Sequence, residues 1–293
     1  MLCIAENINV MSKIIGPAMK ARDKKPIQEL AVHEAEQGVD YLDLNIGPAR
    51  KDGPELMAWL VRTVQEVSDV PCSLDTTNAE AIAAGLRAHQ KSKPLINSVT
   101  LQPDRMKKVL PLAKDFETDI IGVLWGPEGM PRDENERAVH AVNLMMAANE
   151  LGIPNERLWV DPIVSPVSVE INQVKACITF MQTLQELVPG CKSTVGLSNI
   201  SNGAPDHLRH WLNKTYAIML MRYGCHSAIV DAFDEDLLAI AKGRKKDVVQ
   251  LVHKVMDGAA VDPKSLNPEL LNYYRTAKVL VGETLYSASW LEG

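Results

Sequence analysis

No two of the five cysteines form a C-x-x-C pair; Cys3, Cys72, Cys177, Cys191 and Cys225 are scattered along the 293 residues. That spacing excludes a disulfide framework and disfavours a thiolate zinc site, and the odd count fits a reducing cytoplasm. No apolar run is long enough to cross a bilayer, and no signal-peptide pattern opens the chain. The expectation is a cytoplasmic protein with no membrane association. Positive charge is not in excess either. The 31 Lys and Arg against 37 Asp and Glu leave a net charge of -6, which argues against nucleic acid as the main partner. The one basic run, "KGRKK" at Lys242–Lys246, has no interleaved aromatics and reads as a solvated helix face. A G-x-G-x-x-G turn after the first strand is missing, and with it the dinucleotide-binding version of an open sheet.

What is present is ordinary globular material: 46% hydrophobic residues and a mean hydropathy of -0.08, enough for a large core. Short apolar runs alternate with segments of helical period. Strands are expected at Leu2–Asn7, Tyr41–Gly47, Cys72–Asn78, Leu95–Thr100, Asp119–Trp125, Leu158–Val164, Ser193–Asn199 and Ser227–Phe233. Between them, "IQELAVHEAEQG" carries Ile27, Leu30, Ala31 and Ala35 on one stripe and stops at Gly38. "AVHAVNLMMAANELG" ends likewise at Gly152. Continuous apolar strands alternating with helices mean a parallel sheet buried on both faces. Length alone would allow two domains, but eight such units in about 240 residues close into one (β/α)8 TIM barrel, with a doubly wound sheet as the competitor. Patterns at Asp247–Gly258 and Pro268–Gly282 predict additional C-terminal helices. They make an extension, about residues 242–293, packed on the barrel of a single domain, 1–293.

In such a barrel the chemistry sits at the C-terminal strand ends, and polar residues collect there. The ends offer Glu6, Asn7 and Asn9; Asp43 and Asn45; Asp75, Thr76 and Asn78; Asn97 and Ser98; Asp161; Ser198 and Asn199; and Asp231. Singly, Asn78 and Asp231 read as helix caps, and Asp161 before Pro162 as the opening of a turn. Together they imply a polar ligand, because unpaired buried carboxylates are costly. Arg, Lys and His are missing from these ends, so a phosphate is not matched. No metal site is expected, since no histidine pair falls at a strand end. His207 and His210 are helix-spaced and read as an exposed helix start. Carboxylates beside carboxamides suit a neutral, flat heterocycle with a row of N–H donors.

Four segments, "LDTTN" (Leu74–Asn78), "INSV" (Ile96–Val99), "VDPIV" (Val160–Val164) and "GLSNIS" (Gly196–Ser201), resemble the pterin-binding barrel family in order and spacing. Within that family the chain looks like the methyltetrahydrofolate:corrinoid protein methyltransferases. The similarity runs over roughly residues 1–240 and resumes at "GETLYSASW" (Gly282–Trp290). The resemblance implies transfer of the N5-methyl group between methyltetrahydrofolate and the cobalt of a corrinoid. That corrinoid is expected on a separate partner protein, because the D-x-H-x-x-G cobalt-ligating signature is absent. By the same resemblance Asp75, Asn97 and Asp161 hydrogen-bond the pterin ring. Asn199 reaches N5 and Asp75 tunes the ring's proton affinity, making these two the catalytic pair. Gly196 and Ser198 flank the ring, Asn9, Asp43 and Asn45 belong to the pocket floor, and Arg209 is the candidate for the family's arginine near the pocket. Family members are commonly homodimers, and a homodimer is expected. A dihydropteroate synthase would need a cationic pyrophosphate site and an extended first loop. Here that loop reads "NVMSKIIG" and no Ser-x-Lys-Arg pattern ends a strand. A non-catalytic folate-binding protein is the remaining alternative, against which Asn199 counts.

Overall fold

Parallel pairing of eight short strands organises the chain, whose computed structural model describes residues 1–292. The strands are β1 Leu2–Ala5, β2 Tyr41–Asn45, β3 Cys72–Asp75, β4 Leu95–Thr100, β5 Asp119–Val123, β6 Leu158–Asp161, β7 Lys192–Ser193 and β8 Ser227–Val230. Their order is β7-β6-β5-β4-β3-β2-β1-β8. The Ile229 N–H donates to the Val195 carbonyl at 2.8 Å and Gly196 bridges to Ile229, which draws the two ends together. The result is the expected (β/α)8 barrel.

Helices α1 (Ile15–Ala21) and α2 (Lys24–Glu36) follow β1. Then come α3 (Gly53–Gln65), α4 (Ala79–Ala88), α5 (Pro103–Asp115), α6 (Glu134–Glu150), α7 (Ile171–Leu187), α8 (Asp206–Met221) and α9 (Glu235–Ala241), one after each later strand. Side chains of Asp23, Asn78 and Asp133 accept the first N–H groups of α2, α4 and α6. Asn78 is thus the helix cap that its sequence context indicates. Gly38 and Gly152, at φ of 73° and 78°, follow the ends of α2 and α6 in the left-handed conformation.

Alternation along the strands divides the core. Outward residues such as Ala5, Leu42, Leu74, Ile120 and Val160 pack with the helices. Inward Ile4, Leu95, Ile121 and Trp159 form a separate small cluster inside the barrel. Beneath it the N-terminal end is plugged. Trp159 Nε1 donates to Asp119 at 2.9 Å, and Lys192 and Lys93 reach the same carboxylate at 2.7 and 3.3 Å. The open end is the C-terminal one. On the outer face, Gly122 of β5 gives room to Leu144 of α6, whose Cδ2 would lie 2.1 Å from an added Cβ.

Two features differ from the sequence expectation. The seventh strand does not extend to Asn199. It ends at Ser193, and Leu197–Ser201 winds into a 3-10 turn. Local bonds compete with the ladder there: the Asn199 N–H donates to the Gly196 carbonyl at 3.2 Å, and Ser201 Oγ to the Ser198 carbonyl at 3.1 Å. The basic run is largely exposed, as expected, but it is not the face of one helix. It forms the turn between α9 and α10 (Lys246–Met256), where Lys245 pairs with Asp236 at 2.9 Å and Glu269 at 3.2 Å. Glu269 belongs to α11 (Pro268–Leu280), so the run ties the extension to α9. Both α10 and α11 pack on α8, and the buried Trp290 returns to α11 with Nε1 donating to Thr276 Oγ1 at 3.0 Å. All five cysteines are free and buried, and among the described residues no helix is long and apolar enough to cross a membrane.

Candidate active site

The upper half of the barrel interior is polar because on β2, β4 and β6 the inward apolar residue is followed, two positions on, by a hydrogen-bonding one. Tyr41 is followed by Asp43 and Asn45, Leu95 by Asn97, and Trp159 by Asp161. The strand register aligns Asn45, Asp75 and Asn97 in one row across β2, β3 and β4. Asn45 Nδ2 donates to Asp75 Oδ2, while Asn45 Oδ1 accepts from the Gly47 N–H at 2.9 Å. One layer lower, Asp43 accepts from Ser73 Oγ at 2.6 Å and from Asn97 Nδ2 at 3.0 Å. Asp43 is only 2% exposed, so it props Asn97 from behind and leaves the Asn97 carbonyl oxygen for a ligand. A register shift between Asn97 and Val99 turns the end of β4 toward the mouth.

Burial governs the charges of this layer. Burial, and then the neighbouring charge of Asp75, holds Asp43 well above the usual carboxylate range. Asp75 is itself pushed up to about 6 by burial, against hydrogen bonds from Asp43 and Asn45 and the charge of Arg105. Two carboxyls this close do not both ionise readily, and the deeper burial of Asp43 favours its protonated form. Asp161 is raised to about 6 by burial, opposed by the Ile163 N–H, which donates to its Oδ1 at 2.8 Å, and by the charge of Arg137. A carboxylate held this way is short of donors. A ligand edge with two parallel N–H groups would supply them.

The turn after β7 forms a second group. Ser198 Oγ donates to Glu6 Oε1 at 2.5 Å, which joins the turn to the end of β1. Asn199 is exposed, and its Oδ1 accepts from Asn202 Nδ2 at 3.2 Å. Its Nδ2 passes so close to Gly196 that an added Cβ there would stand 3.1 Å away. Arg209 of α8 donates to Ser201 Oγ at 3.2 Å, behind the same turn. Glu6, Ser198, Arg209, His210 and Asp231 line a cavity of about 370 Å³. His210 is therefore part of the mouth, whereas His207 is exposed as its position at a helix start indicates. Asp231 is not the cap of α9, a task taken by Asp234; it accepts from Asn7 Nδ2 at 2.8 Å instead. Asn9 stands apart from both groups. Its Oδ1 accepts from the Met11 N–H at 2.8 Å, and it meets Asn45 through the backbone.

Cations missing from the strand ends arrive from helices. Arg105 of α5 donates to the carbonyls of Thr77, Thr76 and Ser98 at 2.6, 2.9 and 2.5 Å and clamps the loops after β3 and β4. Arg137 of α6 does the same after β6. A buried acid was missed as well: Glu34 of α2 is fully buried, with Oε1 accepting from the Asn7 N–H at 3.2 Å and Oε2 unpartnered. Burial pushes it up to about 8, so it carries a proton at neutral pH. Both residues had a legible signal. Glu34 falls on the stripe of Ile27 and Ala31, and Arg137 on that of Ala141, Leu144 and Ala148, where a helix turns its apolar side inward. Among the described residues, no three His, Cys, Asp or Glu side chains converge as a metal-holding group.

Comparison with known proteins agrees with this architecture. The chain is 26% identical over 240 residues to the methylcorrinoid:tetrahydrofolate methyltransferase of Eubacterium limosum, covering 81% of this chain and 88% of that protein. It is 25% identical over 242 residues to the methionine synthase of Mycobacterium leprae, of whose length the match spans only 20%. In fold it resembles dihydropteroate synthase from Xanthomonas albilineans solved with 7,8-dihydropteroate, with a TM-score of 0.63 at 19% identity, over 83% of this chain and 92% of that one. The pterin binding enzyme family matches residues 8–231, which takes in β2 through β8 and the candidate site residues from Asn9 to Asp231. The chain belongs to the family of pterin-binding enzymes.

Proposed function

We propose that this protein transfers a methyl group between N5 of tetrahydrofolate and the cobalt of a corrinoid carried by a separate protein. In this reading Asp161 accepts two parallel N–H bonds from the pterin ring, and Asp75 and Asn97 meet its mixed donor and acceptor edge. Asp43 and Asn45 hold those two in place, and Gly196 and Ser198 form the wall beside the ring. Asn9 shapes the loop at the floor through its backbone, and Arg209 steadies the turn that carries Asn199. The observation that carries the reading is the row Asn45–Asp75–Asn97, with the buried Asp43 bonded to Asn97 behind it: an acceptor-rich edge built for a flat N–H donor. The likeness to the Eubacterium limosum methyltransferase supports the choice of reaction. The enzyme is expected to act in the cytoplasm as a homodimer, with no nucleic acid or membrane involved.

N5 is a poor leaving group: as the Co(I) electron pair bonds the methyl carbon and the C–N bond breaks, the bonding pair passes to N5, and a proton or hydrogen bond there must offset it. A protonated or hydrogen-bonded N5 meets that need. Asn199 is too weak an acid to protonate N5, but it can orient the proton there and bind more tightly as charge shifts, which stabilises the transition state selectively. Asn199→Ala should therefore reduce kcat by about 2–4 kcal/mol of barrier with little change in folate affinity. Weaker binding with unchanged turnover would remove Asn199 from that role. The direct test mixes the protein with methyltetrahydrofolate and reduced cob(I)alamin, and in the reverse sense with methylcobalamin and tetrahydrofolate. Interconversion of the Co(I) and methylcobalamin spectra is expected. No change in either direction, with a competent corrinoid protein also tried, would overturn the proposal.

A further inference from the structure

Arg137 is fully buried, yet among the described residues no carboxylate bonds its guanidinium. Its Nε donates to the Pro162 carbonyl at 2.8 Å, Nη1 to the Asp133 carbonyl at 3.2 Å, and Nη2 to the Ile163 carbonyl at 3.4 Å and Gln173 Oε1 at 2.8 Å. A buried cation held by neutral dipoles is a poor stabiliser, since a well-packed apolar side chain serves a fold as well or better. Its partners explain its presence. Pro162 and Ile163 form the turn directly after Asp161, and Ile163, a β-branched residue, stands at φ of 66°. That conformation is disfavoured for a β-branched residue and needs outside support. In it the loop's carbonyls face Arg137 while the Ile163 N–H points back at Asp161 Oδ1, 2.8 Å away.

We propose that Arg137 is a positioning residue for Asp161: it holds the Pro162–Ile163 turn in its strained form, so that the Ile163 N–H fixes the orientation in which the carboxylate meets the pterin, and it places a positive charge behind that carboxylate. The inference rests on the folate-binding reading of the site. The other ionisable groups around Asp161 are the buried Cys177 thiol on α7 and the Cys225 thiol before β8. Both are pushed up, to about 11 and about 12, chiefly by burial, and stay neutral in the working range. The Asp43–Asp75 pair titrates at the same mouth, so the test compares variants with and without Asp161.

Tetrahydrofolate affinity is measured between about pH 5 and pH 8 for the wild type, Arg137→Gln, Arg137→Lys, Asp161→Asn and the double variant Arg137→Gln/Asp161→Asn. Arg137→Gln should weaken binding about tenfold or more at neutral pH, the size of effect a misplaced ligand group produces. Its acidic loss of binding should begin at higher pH, because Asp161 without the cation holds its proton longer. Arg137→Lys, which keeps the charge but not the fork, should restore the pH profile and not the affinity. In the Asp161→Asn background the Arg137→Gln change should add less than about twofold, since the two residues act as one unit. Additive losses, or wild-type binding by Arg137→Gln, overturn the proposal. Should Arg137→Gln not fold, Gln173→Leu frees one arm of the guanidinium. It should weaken binding several-fold with Asp161 present and not at all in Asp161→Asn, and equal effects in both overturn the proposal. A folded wild type that binds no tetrahydrofolate at any pH would overturn the folate reading and this inference with it; additive losses on a wild type that binds overturn this inference alone.

Discussion

Asp161→Asn separates what this carboxylate does for a ligand from what it costs the fold. Burial raises its pKa from 3.8 to about 6, although the Ile163 N–H and Arg137 pull the other way. Below about pH 4 the group is protonated in both the folded and the unfolded chain, so it has no pH-dependent effect. As pH rises from 3.8 toward about 6, the unfolded chain gives up its proton first, and folding stability falls. Above that window the cost is complete. A shift of about two pH units corresponds to about 3 kcal/mol, and partial solvent contact at the barrel mouth lowers this to about 1–3 kcal/mol. Asparagine keeps the shape and the oxygen that accepts from Ile163, and it never ionises. The variant should therefore be more stable than the wild type near neutral pH and equal to it near pH 4. Urea unfolding at the two pH values, followed by circular dichroism, reads the difference as a shift in midpoint. A lower midpoint for the variant at neutral pH, or a shift that is the same at both, would refute the account of Asp161 as a strained carboxylate. Folate affinity should move the opposite way, by about 1.5–3 kcal/mol for a lost charge-assisted pair. Stability gained and binding lost together are the signature of a ligand site.

Three further outcomes follow from packing. Gly196→Ala puts a methyl group 3.1 Å from Asn199 Nδ2, so turnover should fall with little change in melting temperature, and full activity would mean that the close approach is unused. Gly122→Ala brings Cβ against Leu144 Cδ2 at 2.1 Å, a loss of about 1–3 kcal/mol that urea titration would reveal and an unmoved midpoint would contradict. Trp290→Ala removes a side chain only 5% exposed together with its bond to Thr276. The expected loss is about 3–5 kcal/mol, with faster amide exchange along α11, and unchanged exchange would show that the tail does not hold that helix.

Much of the architecture was legible in the residues because it rests on local periodicity. Apolar runs such as "LINSV" on β4 sit between segments whose apolar residues recur every three or four positions, and Gly38 and Gly152 end their helices where left-handed backbone is required. β7 was less legible. Val195 and Leu197 look like strand residues, but alternation cannot show that Gly196 and Ser201 divert the backbone into a turn, because that choice depends on local bonds competing with a ladder. The basic run is solvated as its composition indicates, but the pairing of Lys245 depends on where Asp236 and Glu269 come to lie.

The candidate site divides along the same line. Asp43, Asn45, Asp75, Asn97 and Asp161 each stand on a strand at a position that its own alternation turns inward, and so the sequence by itself determined which side chains face the mouth. What it could not determine is how they are paired, charged and held. That Asp43 is raised well above the usual carboxylate range, that Asn45 is committed to Asp75, and that Arg105 and Arg137 reach the loops after the strands from helices are decided by contacts between residues some 25 or more positions apart. Hydrogen bonding and desolvation act through space and not along the chain, so these properties exist only once the barrel has closed.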